Sequence, residues 1–136
     1  MSDVHLDLTY TLDAQGRDCL GMTCCTNETV KANGTDDAAG YWGDFNCDTP
    51  LWTFTDMLEQ IKATHGEGAF DYIMLTGDFP AHDVYRQGRA DNLAHTQAAV
   101  QEILAVFPDT PVYPSLGNHE SFPCNRYFKY HYNINI

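Results

Sequence analysis

The sequence has few basic residues and no long apolar run. Among its 136 residues, 7 are lysine or arginine and 19 are aspartate or glutamate, so the formal net charge is −12. Proteins that bind nucleic-acid phosphates or anionic membranes carry clustered lysine and arginine, so this charge argues against both kinds of partner. No apolar run approaches the roughly 20 residues that span a bilayer. We therefore expect no transmembrane segment.

From the opening residues we expect no signal peptide in this chain. The chain opens Met1-Ser2-Asp3-Val4-His5, without the basic and apolar regions of a signal peptide. Its length corresponds to one domain or to part of a larger one. With 43% hydrophobic residues the chain can form a packed core, which argues against wholesale disorder. We expect a monomer.

Cysteines are concentrated in one polar stretch, residues 13–49. Such a cluster forms disulfides in a secreted protein or a metal site in a cytosolic one. Two N-glycosylation sequons, at Asn27 and Asn33, lie in the same stretch, and together these features favour disulfides in an oxidising, secretory compartment. A further cysteine, Cys124, has no obvious partner. The clustered cysteines are Cys19, Cys24, Cys25 and Cys47.

Helices and strands alternate along the rest of the chain. Apolar residues at helical spacing predict helices over residues 50–64 and 88–107. Short apolar runs predict buried strands at residues 70–75 and 111–116, and residues 3–10 fit a strand end and the loop after it. This alternation indicates an α/β fold with a parallel sheet. The apolar stripe of the second helix is predicted to comprise Leu93, Val100, Ile103, Leu104 and Phe107.

Some histidines and aromatic residues are interpreted as structural. His65 and His95 are expected on helix surfaces. Tyr41 and Trp42 are expected to pack within the cysteine-rich stretch, and Trp52 is expected to pack as part of the first helix.

Polar side chains follow each predicted strand. Asp3 and His5 come first, Asp78 follows Gly77, and a Gly-Asn-His-Glu run covers residues 117–120. The carboxyl ends of parallel strands share one edge of a sheet, so we expect these clusters to converge. Asp3 and His5 are two residues apart, and an extended segment would place both side chains on one face.

These residue types suit a metal-dependent reaction on phosphate. Asp, His and Asn are ligands for zinc, manganese or iron, and Asp78 could bridge two ions while Asn118 binds one of them. Two metals about 4 Å apart can hold a phosphate and activate a bridging hydroxide. His119 is placed to donate a proton to a leaving oxygen. His82 is either a capping or surface histidine or a phosphate contact.

The motifs resemble those of a known family. Asp3-Val4-His5, Gly77-Asp78 and residues 117–120 resemble the first three motifs of the calcineurin-like metallophosphoesterases. Longer stretches resemble the acid sphingomyelinase branch, including the acid sphingomyelinase-like phosphodiesterases, and the resemblance covers about residues 2–123. Those stretches are Cys24-Cys25, Gly40-Tyr41-Trp42-Gly43 with Cys47-Asp48, residues 76–84, and Val112-Tyr113-Pro114 leading into residues 117–121.

The resemblance implies a fold and an activity. The fold is α/β, a partial metallophosphoesterase β-sandwich flanked by helices, which is a four-layer α/β/β/α arrangement in the complete family. Residues 1–123 would be the N-terminal part of that domain, with a disulfide-stapled loop near its start. The activity is phosphodiester hydrolysis, of sphingomyelin to ceramide and phosphocholine or of nucleotides in the like-proteins. The location is secreted or lysosomal.

The resemblance also assigns roles to individual residues. Asp3 and His5 would bind the first of two zinc ions, Asp78 would bridge them, and Asn118 would bind the second. His119 would protonate the leaving alkoxide and His82 would contact the substrate phosphate. The implied disulfides are Cys19–Cys24 and Cys25–Cys47.

The sequence departs from the family in its second half. It contains no GHxH motif, and its only histidine after His119 is His131, in a different setting. Only two protein ligands of the second ion, Asp78 and Asn118, would be present, and two protein ligands hold zinc poorly. We therefore expect one zinc ion or none, and a chain that is inactive or nearly so. The strand expected before Asp3 is also missing.

Residues 124–136 are interpreted as a non-homologous tail. Ten of residues 125–136 are Asn, Tyr, Phe, Lys or Ile, whose codons are rich in A and T. This composition indicates read-through into an intron or a misplaced gene-model end. The alternative is a real edge strand, because Tyr and Ile favour strands.

Three functional hypotheses stay open at this point. The first is part of a zinc phosphodiesterase whose full activity needs the remaining histidines. The second is a non-catalytic short form that binds metal or lipid weakly. The third is a metal-binding domain without a phosphoesterase role.

Overall fold

The computed structural model describes residues 1–19, 23–29 and 37–126. Sequon Asn33 and the residues from 127 onward, including His131, lie outside this part of the chain, so the predictions made for them have no structural counterpart. The α/β alternation expected from the sequence is present. In chain order the elements are β1 (Leu6–Asp7), β2 (Thr49–Pro50), α1 (Leu51–His65), β3 (Ile73–Leu75), α2 (Arg89–Val106) and β4 (Val112–Pro114).

The strands form two parallel pairs. Strand β1 pairs with β2 in the register Leu6 to Thr49, and β3 pairs with β4 in the register Ile73 to Val112. Helix α2 connects β3 to β4, so these elements form a β–α–β unit. The strands are shorter than the apolar runs predicted, since prolines at both ends of β4, Pro111 and Pro114, have no N–H to extend the ladder.

The first six residues run beside the segment that follows β3. Backbone N–H groups of Asp3, His5 and Leu6 donate to the carbonyls of residues 77, 78 and 79 at 3.2, 3.0 and 2.7 Å. Leu6 also forms a parallel bridge with Pro80. This pairing fixes the register of the N-terminal segment against the residues after β3.

One apolar core joins the two helices to β1 and β3. Leu6, Phe54, Leu58, Leu75 and Ile103 are its fully buried large side chains. Burying a side chain of this size stabilises the fold by roughly 1.5–3 kcal/mol. Helix α1 ends at His65, one residue beyond the predicted end, and is followed by Gly66, whose φ of +86° suits glycine.

Helix α2 buries part of the predicted face. Ile103 and the following Phe107 are buried, and Val100 packs against the core, as predicted. Leu93 and Leu104 are about half exposed, so their assignment to the apolar stripe is wrong. The expectation of a surface position for His95 is also wrong, because its exposed fraction is 6%. The buried polar residues on this face find partners: Asn92 donates to the His119 carbonyl, and His95 Nδ1 donates to the Asp91 carbonyl (2.7 Å). These hydrogen bonds make the polar face compatible with burial. Leu93 and Leu104 are left at the surface.

The cysteine-rich stretch is stapled by two disulfides. The structure joins Cys19 to Cys24 and Cys25 to Cys47, as the resemblance implies. Beneath them Tyr10 is buried, and its hydroxyl donates to the Gly40 carbonyl (2.7 Å). Burial raises the pKa of Tyr10 to about 12.

Tyr41 and Trp42 attach this stretch to α1 through their backbone. Their rings are more than half exposed, so the expectation that they pack inside the stapled loop is wrong. Their carbonyls accept hydrogen bonds from Trp52 Nε1 (2.6 Å) and Thr53 Oγ1 (3.1 Å). Trp52 packs against the buried cluster around Tyr10, as predicted.

Within the described residues, neither helix has the length and apolar character needed to cross a membrane.

Candidate metal centre

The Glu120 carboxylate accepts hydrogen bonds from both of the loops that follow β3 and β4. Its Oε2 accepts the backbone N–H groups of Asp78 (2.9 Å) and Gly117 (2.6 Å), and its Oε1 accepts that of Phe79 (2.8 Å). Hydrogen bonds from backbone N–H groups to a carboxylate are among the stronger ones in proteins. The carboxylate therefore fixes the distance between the loop that carries Asp78 and the loop that carries His119.

Two glycines allow these loops to touch. A Cβ on Gly77, which has a φ of +90°, would lie 2.0 Å from the backbone nitrogen of Gly117. A Cβ on Gly117 would lie 2.4 Å from Asp78 Oδ1. Only glycine fits such close approaches. The same closeness lets Asp78 Oδ1 accept the backbone N–H of His119 (2.8 Å).

Asp3, His5 and Asp78 bring their ligand atoms within 4.8 Å of one another. Their φ angles are +52°, +45° and +59°, so all three lie in the left-handed region. The expectation that an extended segment presents Asp3 and His5 is therefore wrong, because the backbone turns at each residue. Non-glycine residues in this region cost of order 1–3 kcal/mol each and cluster at functional sites.

Three histidines meet beside this carboxylate pair. The rings of His5 and His82 stack at 3.8 Å between centroids, and His119 stands edge-on to both, at 4.7 and 5.1 Å. A ring nitrogen from each also lies within 4.8 Å of the others. The structure therefore brings His82 and His119 to the same place as the candidate ligand His5.

Asp48 fixes one of these histidines. It is buried, its Oδ1 lies 2.6 Å from His82 Nδ1, and its Oδ2 accepts the His82 backbone N–H (2.7 Å). Burial raises the pKa of nearby Asp7, and the Asp48 carboxylate adds to that rise, while hydrogen bonds from Thr9 oppose it. Sequence reasoning gave Asp48 no role. The available signal was its position directly after Cys47, the cysteine that anchors the stapled loop.

Other predicted site residues lie outside this cluster or at its edge. The side-chain amide nitrogen of Asn118 contacts Cys124 Sγ (3.9 Å), and the ligand role of its oxygen stays a prediction. Asn27 is exposed, as an N-glycosylation site requires. His65 is exposed on α1, as predicted.

The donor set fits a divalent transition metal. Two carboxylates and one imidazole are ligands that zinc, manganese and iron share. Asp3, His5 and Asp78 supply three protein ligands, the number found in zinc sites that keep a position open for water or substrate. These three residues could therefore hold one ion at this point.

The fold and the site are those of an α/β domain with a cluster of Asp and His side chains beyond β3 and β4, where a metal-dependent phosphoesterase binds its ions. The chain belongs to the calcineurin-like phosphoesterase family, whose model matches residues 1–135. The family resemblance read from the motifs is therefore confirmed. The domain boundary predicted at residue 123 stays a prediction.

Similar proteins carry phosphodiesterase names. The chain is 36% identical to human sphingomyelin phosphodiesterase and 33% identical to sphingomyelin phosphodiesterase 1 of Caenorhabditis elegans, in each case over 93% of the chain. It is 35% identical to mouse acid sphingomyelinase-like phosphodiesterase 3b, again over 93% of the chain. The alignments cover 20%, 22% and 26% of these relatives, so the chain spans about a quarter of their length or less.

Proposed function

We propose that this chain is part of a zinc-dependent phosphodiesterase that hydrolyses sphingomyelin to ceramide and phosphocholine. The observation that carries the proposal is the convergence of Asp3, His5 and Asp78 within 4.8 Å, beside two further histidines. The relatives named as sphingomyelin phosphodiesterases support the substrate class.

The proposed ligands divide between two ions. Asp3, His5 and Asp78 hold the first, and Asp78 and Asn118 contribute to the second. Bound zinc would polarise the phosphate and lower the pKa of a bound water. Asp78 suits a bridging role because one of its oxygens, Oδ1, is already fixed by the His119 N–H, which limits how the carboxylate can turn.

The two remaining histidines have separate proposed roles: His119 donates a proton and His82 contacts the phosphate. His119 Nδ1 lies 3.4 Å from the Ala81 carbonyl, which leaves Nε2 to donate a proton to the leaving oxygen. His82 is half exposed and held by Asp48, so its Nε2 can contact a phosphate oxygen. Each ring thus has one anchored nitrogen and one nitrogen directed at the substrate.

We also propose that this chain by itself has little activity and binds one zinc ion or none. The second ion would have two protein ligands, Asp78 and Asn118, which hold zinc poorly. The four-layer sandwich, the secretory or lysosomal location and glycosylation at Asn27 and Asn33 belong to the same proposal for the complete protein.

A second candidate is a nucleotide phosphodiesterase. The identity with mouse acid sphingomyelinase-like phosphodiesterase 3b, 35%, is close to the 36% with human sphingomyelin phosphodiesterase. The site residues named above serve either substrate, because they contact the phosphate and the metal rather than the groups attached to them.

The test is an assay on the protein encoded by the full-length transcript. Its zinc-loaded form is expected to release phosphocholine from sphingomyelin, and Asp78→Asn and His119→Ala are expected to abolish release. Asp71→Asn is the matched control, because Asp71 is an exposed aspartate outside the cluster. Release of phosphate or nucleoside from nucleotides, with sphingomyelin untouched, would support the second candidate. Activity that survives both site variants would contradict the proposed centre.

The same assay on the 136-residue chain tests its predicted inactivity. Turnover of a chromogenic phosphodiester near the background rate is expected. A zinc-dependent rate well above background would contradict that part of the proposal and leave the site assignment intact.

A further inference from the structure

A groove lies where residues 41–42 meet the first turns of α1 and the side of α2. Its volume of about 430 Å³ is within the range of roughly 300–1,000 Å³ that is typical of small-molecule sites. None of the residues that line it belongs to the candidate metal centre. Its aromatic lining residues are Tyr41, Trp42 and Trp52, and its acidic ones are Asp56, Glu59 and Glu102.

The three aromatic rings form adjoining walls of the groove. The Tyr41 ring centroid lies 4.8 Å from that of Trp42 and 5.8 Å from that of Trp52. The interplanar angles are 86° and 39°, so the rings present their faces in different directions. The face of an aromatic ring attracts a cation that lies within about 6 Å of the ring centroid. Several rings that face one space are the arrangement with which proteins recognise quaternary ammonium groups.

Hydrogen bonds to α1 hold these walls in place. Trp52 Nε1 donates to the Tyr41 carbonyl (2.6 Å), and Thr53 Oγ1 donates to the Trp42 carbonyl (3.1 Å). The Tyr41 and Trp42 rings are nevertheless more than half exposed. Because the backbone under them is already fixed, a ligand can bind these rings with little further loss of conformational entropy.

Carboxylates give the groove a negative charge. Within the described residues, Asp56, Glu59 and Glu102 form no ion pair, and no lysine or arginine lines the groove. The Thr55 hydroxyl donates to Glu102 Oε2 (2.8 Å), which positions that carboxylate at the edge of the groove. The charge of the groove is therefore complementary to a cation.

We propose that this groove binds a quaternary ammonium group such as that of choline. A primary ammonium is a strongly hydrated point charge, and the ring faces offer few acceptors to replace its water. A trimethylammonium group has no N–H to satisfy, and its methyl groups can contact the rings while the carboxylates attract its charge. The site needs neither zinc nor the proposed phosphodiesterase chemistry, so it can be tested on the metal-free protein.

Fluorescence titration of the chain with choline chloride, in the presence of a zinc chelator, tests the proposal. Trp42 and Trp52 are the only two tryptophans of the chain, so a change in tryptophan emission reports directly on the groove. The matched ligand is 3,3-dimethylbutan-1-ol, which has the shape of choline without its charge. We expect saturable binding of choline and affinity at least about tenfold lower for the neutral analogue. Equal affinity for the two, or no saturable change with choline, would overturn the proposal.

Two substitutions locate the binding. Trp42→Leu removes one aromatic wall and leaves Trp52 as the reporter, while Glu59→Gln removes one charge. Each should weaken choline binding at least about threefold. Tyr72→Leu and Asp71→Asn are the matched controls, because they alter an exposed ring and an exposed carboxylate outside the groove. Unchanged affinity in both groove variants would overturn the assignment to this groove. Circular dichroism checks folding, and if Trp42→Leu unfolds, Glu59→Gln decides.

A vesicle experiment separates the two sources of this chemistry, free choline and the headgroup of a membrane lipid. Co-sedimentation of the metal-free chain with phosphatidylcholine vesicles, but not with phosphatidylethanolamine vesicles, would support the groove as a site for lipid headgroups. Choline binding without co-sedimentation would support it as a site for the free ligand. Co-sedimentation that survives both groove variants would contradict a headgroup site in this groove.

Discussion

The carboxylate of Asp48 holds His82 at two points, the ring Nδ1 at 2.6 Å and the backbone N–H at 2.7 Å. Asp48 follows Cys47, which is joined to Cys25 by a disulfide. A covalent staple in the cysteine-rich stretch therefore sets the position of a carboxylate, and the carboxylate sets the position of a histidine in the candidate metal centre.

Replacing Asp48 by alanine should destabilise the fold. The substitution removes the two hydrogen bonds that the buried Asp48 carboxylate accepts from His82, and a hydrogen bond to a charged group contributes about 1.5–3 kcal/mol. Denaturant unfolding should show a loss of at least about 1 kcal/mol. Glu59→Ala, at an exposed position on α1, should change stability by no more than about 0.5 kcal/mol. Equal losses of unfolding free energy in the two variants would mean that the Asp48 hydrogen bonds make no net contribution to stability.

Gly77→Ala should be far more damaging than Gly68→Ala. Both glycines have positive φ, +90° and +72°, so alanine is strained at either one. At Gly68 a Cβ meets nothing within 4 Å, whereas at Gly77 it would overlap the Gly117 nitrogen. Gly68→Ala should cost about 1 kcal/mol from strain alone. The difference between the losses of unfolding free energy in the two variants gives the cost of the steric overlap at position 77. Similar losses would show that the loops carrying Gly77 and Gly117 can move apart without a cost in free energy.

Glu120→Gln should loosen the contact between the loops that follow β3 and β4. Glutamine has one acceptor oxygen, so at least one of the three N–H groups of residues 78, 79 and 117 loses its partner. Their amide hydrogen exchange should accelerate at least about tenfold, equivalent to about 1.4 kcal/mol. Amides of helix α1, which do not contact Glu120, serve as the internal reference. Uniform acceleration across both regions would indicate global destabilisation instead of local loosening.

The two disulfides should contribute unequally to stability. Cys25 and Cys47 are 22 residues apart and Cys19 and Cys24 are 5 apart, so the first bridge closes the longer loop. Chain-entropy estimates give about 3 kcal/mol for the longer loop and about 2 kcal/mol for the shorter. Paired Cys→Ser replacements, compared by thermal unfolding, should show the larger loss for Cys25 with Cys47. The reverse order would mean that loop length does not decide the contribution.

Stability should fall as the pH rises through the range from about 10 to about 12. Burial raises the pKa of Tyr10 from 10.0 to about 12, so the unfolded chain loses this proton at a lower pH than the folded chain. The stabilisation is complete below pH 10 and disappears as the pH passes the folded value. Absorbance titration at 295 nm should resolve one late-titrating tyrosine, absent in Tyr10→Phe and present in Tyr113→Phe, which alters an exposed ring. A Tyr10 that titrates with the exposed tyrosines would contradict its burial.

Local signals predicted the helices well. The proline and glycine that bracket α1, at positions 50 and 66, are direct start and stop signals, and the helix ends within one residue of the prediction. The clusters after β3 and β4 converge as expected, because parallel strands share an edge. Asp3 and His5 precede β1 and reach the same place through the pairing of the first six residues with the segment after β3.

Long-range contacts explain what sequence reasoning missed. Asp48 meets His82 across 34 residues and Asn92 meets His119 across 27, and no local pattern signals either contact. The burial of His95 follows from its hydrogen bond and its packing, which its residue type does not indicate. Asp and His are enriched among non-glycine residues in the left-handed region, but most residues of either type lie elsewhere, so residue type alone does not predict the positive φ of Asp3, His5 and Asp78.

The pairing of the first six residues with the segment after β3 has a consequence for the order of folding. His5 and Pro80 are 75 positions apart, so their contact closes a long loop, whereas β3, α2 and β4 are consecutive along the chain. Long-range contacts bear the larger loop-closure entropy and form more slowly than local ones. The β–α–β unit should therefore assemble first, with Asp78 and His119 in place, and Asp3 and His5 should join it last.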